Sequence, residues 1–453
     1  MKTSEDLLQK YSVAAPRYTS YPTVPYWDNS TFSNVGWRAA VSKAFAEDAD
    51  GISVYIHLPY CESLCTYCGC NTRITKNHNV ELPYIKAVLR EWQMYKELSV
   101  EPLVIKEIHL GGGTPTFFSP ENLEYLIMVL TAGVEIHPDA EFSFEAHPGN
   151  TTDEHLETLY KLGFKRLSLG IQDFDPLVQF TINRIQTFEQ VAHVTAKARE
   201  IGYTSINFDL IYGLPRQQLK GLVETIEKVG LLMPDRIAFY SYAHVPWIKP
   251  GQRKFTEADL PGVAEKYLLY EMGRHLLNDL GYRDIGMDHF ALTNDSLYQA
   301  AVDGRLHRNF MGYTHQYTKL LIGLGVSAIS DIWNAYAQNV KTVEEYLQMV
   351  NEGELPVFKG HMLTNEDLVI RRHMLNIMCK GSTNWESSPC RIPALIEGIE
   401  RMQELVDDCL IQLDANGTNV TLAGKRFLRN ICMALDARLW ADKPATQLFS
   451  MAG

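Results

Sequence analysis

Three cysteines in one short loop carry the most specific chemistry in this chain. Cys61, Cys65 and Cys68 follow the spacing Cys-x3-Cys-x2-Cys, with Cys70 two residues on, directly after the apolar run Ser53–Leu58 (SVYIHL). Thiolate is the usual ligand of an iron–sulfur cluster. Three thiolates from one loop can hold three irons of a cubane, leaving the fourth iron open unless Cys70 reaches it. An open metal position is where a substrate coordinates and reacts, the distinction that separates catalytic from structural zinc. Structural zinc on all four thiols is the plainer alternative, yet zinc usually draws its ligands in pairs from two separated knuckles. A redox dithiol on Cys65 and Cys68 would leave Cys61 without a role. Cys379, Cys390, Cys409 and Cys432 are scattered through the last quarter of the chain. They read as buried thiols that pack like small hydrophobes.

The elements that must position this loop repeat from about residue 52 to 245. Short β-branched or aromatic runs are Ser53–Leu58, Ile105–Leu110, Glu141–Glu145, Arg166–Gln172, Ser205–Tyr212 and Arg236–Tyr242. Amphipathic stretches such as Asn122–Thr131, His155–Leu162, Phe188–Ile201 and Leu219–Leu231 separate them. Strand–helix units in succession imply a parallel sheet with right-handed crossovers. The pattern alone leaves an open sheet and a barrel both standing. The unusual residues sit at or just after strand ends: CESLCTYCGC, GGGTPT, EAHPG, GIQDF, DLIYGLP and YAHVP. In parallel α/β folds those ends carry the active site.

Composition bounds the function. The chain has 453 residues and a formal net charge of -12, from 54 acids against 42 bases. That argues against a broad nucleic-acid surface. It leaves room for an anionic small molecule, which needs a few cations in one cleft. The acidic start, Met1-Lys2-Thr3-Ser4-Glu5-Asp6, does not read as a signal peptide. The longest apolar run, Leu320 to Ile329, falls far short of the ~20 residues that span a bilayer. A cytoplasmic enzyme is the expectation. Beyond about 255 the chain reads as mainly helical, with a helix start at Thr342-Val343-Glu344-Glu345. Near the end, Cys409–Leu413 and Thr418–Leu422 flank Asn416-Gly417, a hairpin signal. Helices and a hairpin suggest a small winged-helix-like unit. Without a basic stripe, a packing or lid role suits it better than nucleic-acid binding.

The cysteine loop after the first strand of an α/β domain resembles the radical S-adenosylmethionine superfamily. That resemblance implies a 4Fe–4S cluster on Cys61, Cys65 and Cys68, and a partial (β/α)6 barrel. Further motifs are RYTSYPT at 17–23, YIHLPYCESLCTYCGC at 55–70, HLGGGTPT at 109–116, GIQDF at 170–174, DLIYGLP at 209–215 and YAHVP at 242–246. With GMDHFA at 286–291, LHRNFMGYT at 306–314 and RNICM at 429–433, they resemble the oxygen-independent coproporphyrinogen III oxidase family over essentially the whole chain. Cys70 also fits that family.

The expected organisation is a leader over residues 1–45 that covers the active site, a radical SAM partial barrel over 46–255 and a mainly helical domain over 256–453. Its implied activity is oxidative decarboxylation. An electron from the cluster cleaves S-adenosylmethionine, and the 5′-deoxyadenosyl radical takes hydrogen from the β-carbon of a propionate. Loss of CO2 and one electron leaves a vinyl group, twice per coproporphyrinogen III, giving protoporphyrinogen IX. Two S-adenosylmethionine molecules are implied. Their binding residues by resemblance are Tyr55, Tyr67, Gly112, Gly113, Thr114, Glu145, Gln172, Arg184, Asp209, Ala243 and Ile329. Cys70 is a possible accessory, with no protein side chain firmly assigned as catalytic. Arg17, His307, Arg308, Lys249 and Arg253 are candidates for the substrate carboxylates. The implied partners are a tetrapyrrole and a reduced flavodoxin or ferredoxin-like donor, for a monomeric enzyme.

Two motifs depart from the family pattern: Met311 stands where a Gln is usual, and EAHPG, with His147 and Gly149, where EVDPR is more common. A related radical enzyme on another tetrapyrrole, and a non-catalytic heme chaperone, are the alternatives. Cys70 and the leader argue against the chaperone.

Overall fold

The computed structural model describes residues 4–48, 50–386, 392–444 and 448–451. Six strands form its centre: β1 (Ile52–Leu58), β2 (Val104–Gly112), β3 (Glu135–Ala146), β4 (Phe164–Gln172), β5 (Ser205–Tyr212) and β6 (Arg236–Ser241). Each pairs in parallel with the next. All six expected runs are strands, and β3 begins earlier than Glu141.

The intervening helices start where their sequences provide caps. Ser119 caps Pro120–Thr131, with proline at the first turn. Thr152 and Thr187 form capping boxes for Asp153–Lys161 and Phe188–Ile201. Each such cap satisfies backbone N–H groups that the first helical turn cannot. Phe188–Ile201 ends at Gly202, whose φ of 113° suits glycine.

Past residue 255 the chain adds strands to the same sheet. These are β7 (Arg283–Gly286), β8 (His289–Ala291), β11 (Leu320–Leu324), β12 (Ile329–Asp331), β13 (Ala335–Asn339) and β14 (Val357–Met362). A separate hairpin joins β9 (His307–Asn309) to β10 (Gly312–Thr314). The main sheet runs β14-β13-β12-β11-β1-β2-β3-β4-β5-β6-β8-β7, so it ends in two edges. The helical pattern expected for this stretch misses these strands. They are short, and Gly286, Gly312, Gly323 and Gly360 within them dilute strand propensity.

Helices predominate from Asn365 onward. Asn365–Lys380, Pro393–Arg401 and Leu428–Leu435 pack around a second core with Ile370, Met374, Leu395 and Ile431. The expected hairpin pairs Ile411–Leu413 with Gly417–Val420, turning at Asn416-Gly417. The leader belongs to this second core: Tyr11, Tyr18 and Tyr21 are buried in it, and the Tyr18 hydroxyl donates to Asp436.

Of the late cysteines, Cys432 is buried and Cys379 half-buried, but Cys409 is exposed. Cys409 occupies a surface turn at φ 58°, which corrects the expectation of a buried thiol there. Cys390 lies outside the described residues. Among the described residues no helix is long and apolar enough to cross a membrane.

Candidate functional site

A cleft of about 670 Å³ opens at the C-terminal ends of the parallel strands. The strands feed it with alternate residues. Arg166, Ser168, Gly170 and Gln172 of β4, Asn207, Asp209 and Ile211 of β5, and Arg236, Ala238 and Tyr240 of β6 line it. Their neighbours Leu167, Leu169, Ile206, Phe208, Ile237 and Phe239 face the opposite way into the apolar core. Successive strand side chains point to opposite faces, so polar residues inside a buried strand mark the inner wall.

The cysteine loop borders the same cleft and is tied down from several directions. Thr66 N–H donates to the Ile182 carbonyl at 2.9 Å, and Asn183 Nδ2 to the Leu64 carbonyl at 2.7 Å. Gln252 Nε2 donates to the Tyr67 carbonyl at 2.9 Å, and Lys249 Nζ to the Cys70 carbonyl at 3.1 Å.

Each of the three sulfurs has a polar neighbour. Cys61 Sγ lies 3.3 Å from Thr114 Oγ1, Cys65 Sγ accepts from Arg184 Nη1 at 3.7 Å, and Cys68 Sγ from the Cys70 N–H at 3.4 Å. Hydrogen bonds from Cys70 hold the Cys68 thiol down at about 6. Burial pushes Cys61 up to about 11.

The donor set fits an iron–sulfur cluster, whose thiolate ligands take hydrogen bonds that tune it.

The glycine run after β2 is required sterically. A Cβ on Gly113 would fall 2.6 Å from the Pro59 carbonyl oxygen, and one on Gly112, at φ 116°, 2.8 Å from the His57 ring. Without side chains there, Thr114 comes within reach of Cys61.

Glu145 Oε2 accepts from the Gly112 N–H at 3.2 Å, and Oε1 lies 3.5 Å from His109 Nε2. Burial works against its charge, but these partners hold the carboxyl below its usual value. Asp209 goes the other way. Burial, then the Glu145 charge, pushes it up to about 7, although Ser168 and Asn207 donate to it.

Arg184 gives Nε and Nη2 to the Gly170 carbonyl. Gln172 sits at φ 67°, a costly backbone for a residue other than glycine and a recurrent feature of binding sites. Burial and the Arg184 charge push His147 down to about 3, so it is neutral at pH 7.

Thus Cys61, Cys65, Tyr67, Cys68, Cys70, Gly112, Gly113, Thr114, Glu145, Gln172, Arg184, Asp209 and Met311 meet in one cleft. Tyr55, Ala243 and Ile329 are not among its lining residues. Tyr55 stands behind the wall, its hydroxyl 3.0 Å from His57 Nδ1 and its ring stacked on His109. The Ala243 carbonyl accepts from Gln252, and Ile329 opens β12. Arg17 donates to the Ser241 carbonyl and Arg253 to that of Pro246, while His307 meets Tyr317 edge to face. Ser168, Asn207, Arg236 and Tyr240 line the cleft without having stood out in the sequence, and His109, His289 and Tyr313 line it from within the motifs HLGGGTPT, GMDHFA and LHRNFMGYT without having been given a role there. For those on the parallel strands, alternation with core residues was the available signal.

The radical SAM superfamily model matches residues 55–229. The oxygen-independent coproporphyrinogen III oxidase of Escherichia coli K12 is 37% identical over 449 residues, covering 98% of this chain and 97% of that protein. The protein of the same name from Synechocystis is 35% identical over 458 residues, covering 99% and 98%. The chain belongs to the oxygen-independent coproporphyrinogen III oxidase family. The solved structure of the Escherichia coli coproporphyrinogen III oxidase, described as a radical SAM enzyme, superposes with a TM-score of 0.89 at 36% identity. It covers 96% of this chain and 99% of that one. The family settles what the strand pattern left open, a partial barrel of the radical SAM type, and makes the chain an oxidoreductase that uses a 4Fe–4S cluster and S-adenosylmethionine.

Proposed function

We infer that this chain oxidatively decarboxylates two propionate side chains of coproporphyrinogen III to vinyl groups, giving protoporphyrinogen IX. The carrying observation is the three-cysteine loop opening on a deep cleft, in a chain 37% identical over nearly its full length to a coproporphyrinogen III oxidase. When bound, the cluster and two S-adenosylmethionine molecules supply the electron and the hydrogen-abstracting radical chemistry. For each propionate, one hydrogen atom leaves the β-carbon, the carboxylate departs as CO2, and one electron passes to an acceptor.

The chain's own residues bind and orient. Cys61, Cys65 and Cys68 would hold the cluster, with Cys70 steadying Cys68 through its N–H. The N–H groups at Gly112 and Gly113, exposed where no side chain fits, suit a carboxylate or its neighbours. Glu145, charged, suits an ammonium; Asp209, near half-protonated at neutral pH, can share a hydrogen bond with a ribose diol. Arg184 steadies the Cys65 sulfur and the Gly170 carbonyl near the end of β4, with Tyr67 and Gln172 beside it. Tyr55 orients His57 and His109 from behind, and the Ala243 carbonyl anchors Gln252, which holds the Tyr67 carbonyl of the cysteine loop. The leader, anchored in the second core by Tyr11, Tyr18 and Tyr21, is proposed to cover the site and help exclude water. A reduced flavodoxin or ferredoxin-like protein is the proposed electron donor, and the enzyme is proposed to work as a cytoplasmic monomer.

An anaerobic turnover assay tests the reading. Reconstituted protein receives a strong reductant, S-adenosylmethionine and coproporphyrinogen III. Protoporphyrin, after oxidation, should appear with two 5′-deoxyadenosines each and vanish in Cys65→Ala. Deoxyadenosine without protoporphyrin would reject this substrate. Neither product, from protein carrying an intact cluster, would reject the enzymatic reading.

A further inference from the structure

Arg308 is 8% exposed, and its Nε and Nη1 are buried without a hydrogen-bond partner. Its guanidinium lies 4.7 Å from the ring centroid of Tyr313, the residue opposite it in the β9–β10 hairpin. Tyr313 lines the cleft and meets the His289 ring at 5.2 Å; His289 in turn meets Tyr240 at 5.7 Å. His289 Nδ1 is buried without a partner too. Arg236 repeats the theme on the same wall. It is 3% exposed, gives Nε to Asp295 and Nη2 to Ser296, and leaves Nη1 buried and unpartnered. Arg308 is not itself among the cleft-lining residues: it packs against Tyr313, which is, and borders a small recess under Tyr18–Tyr21 of the leader, where the neighbouring Arg371 is already committed to Asp331.

A buried cation with unsatisfied donors is costly, because water has been removed and nothing has replaced it. Satisfied local rules fail mainly at sites that serve a ligand. The planar guanidinium fork matches a carboxylate, which accepts two parallel hydrogen bonds. We propose that Arg308, with His289 Nδ1 and Arg236 Nη1 across Tyr313, seats a carboxylate of the tetrapyrrole, and that this carboxylate is one that survives the reaction.

Survival follows from the chemistry. A propionate that decarboxylates must give up its charge as CO2 forms, and a cation gripping it would stabilise the ground state against that loss. A propionate that stays on the product pays no such penalty, so it is the better handle. The proposal rests on the coproporphyrinogen reading above.

The test measures binding of coproporphyrin III, the oxidised tetra-acid, and of its tetramethyl ester to cluster-loaded protein by fluorescence quenching. Arg308→Met should weaken the free acid about 30-fold or more, as loss of one partner of a buried charge pair does. Ester binding should change far less. Ligand-free Arg308→Met should also melt no lower than the wild type, since an unpaired buried charge is replaced by an apolar side chain. Should Arg308→Met not fold, Arg308→Lys keeps the charge without the fork and should still weaken the acid selectively. Equal loss for acid and ester, unchanged binding of the acid, or a lower melting temperature in Arg308→Met would overturn the seat. Arg308-dependent binding without protoporphyrin formation would remove the reaction and leave the seat. Turnover with binding indifferent to Arg308 would remove the seat alone.

Discussion

Arg184 Nη1 lies 3.7 Å from Cys65 Sγ while its Nε and Nη2 share the Gly170 carbonyl. One side chain from the loop between the helices Pro176–Thr181 and Phe188–Ile201 thereby connects the cysteine loop to the strand that ends in Gln172. A cation and an N–H donor on a cluster thiolate favour the reduced, more negative state. Arg184→Met should therefore assemble a cluster with a more negative midpoint potential and weaker S-adenosylmethionine binding. Redox titration followed by electron paramagnetic resonance checks the first, and equilibrium dialysis the second. An unchanged potential would mean that Arg184 only braces Gly170.

Gly113→Ala tests the steric argument for the glycine run. Its Cβ would meet the backbone of Pro59 and Tyr60 at 2.6 to 2.8 Å, and backbone cannot rotate away as a side chain can. The expected cost is about 1–3 kcal/mol of stability, with cluster content reduced because Pro59 and Tyr60 lead into Cys61. Denaturant unfolding and iron analysis of the reconstituted protein report both.

Glu91 gives a pH signature away from the cleft. It is fully buried in helix Glu81–Lys96, accepts from Gly325 N–H, Asn339 and Tyr346, and burial pushes its carboxyl up to about 7. Its folded value is thus raised above the unfolded one. Between about 4.5 and 7 the folded chain holds a proton that the unfolded chain has released, so rising pH costs stability there and nothing more above 7. Glu91→Gln lacks this component. The stability of the wild type relative to Glu91→Gln should therefore fall from pH 5 to 7, by at most about 1.4 kcal/mol per pH unit. Urea midpoints measured across that range give the slope, and a flat difference would place the carboxyl at its ordinary value.

Met311 lines the cleft at the turn between β9 and β10. A thioether there offers almost no hydrogen bonding, unlike the amide of Gln. Met311→Gln should tighten the weaker of the two S-adenosylmethionine sites without altering iron content. Calorimetric titration resolves the two sites; no change in either would place Met311 outside ligand contact.

Much of the fold was legible because its signals are local. Six apolar runs became β1–β6, and the cap expected at Thr342 begins the helix Val343–Asn351. The strands from Arg283 to Met362 were not legible. Runs of three to six residues interrupted by glycine show no period, and the existing sheet edges recruit them.

The sequence by itself determined the chemistry: Cys61, Cys65 and Cys68 in one loop after β1, with polar residues at every following strand end. Ligand spacing within ten residues survives any arrangement of the rest. Tertiary structure decided which distant groups serve that loop. Arg184 meets Cys65 across 119 residues of chain, and Lys249 meets Cys70 across 179. It also decided that Arg308 Nε and Nη1 are buried without a hydrogen-bond partner while Arg371, close by, is paired. Such facts depend on how a curved sheet, a leader and a second core close on one another. No local pattern encodes them, because burial and charge neutralisation are properties of the packed whole.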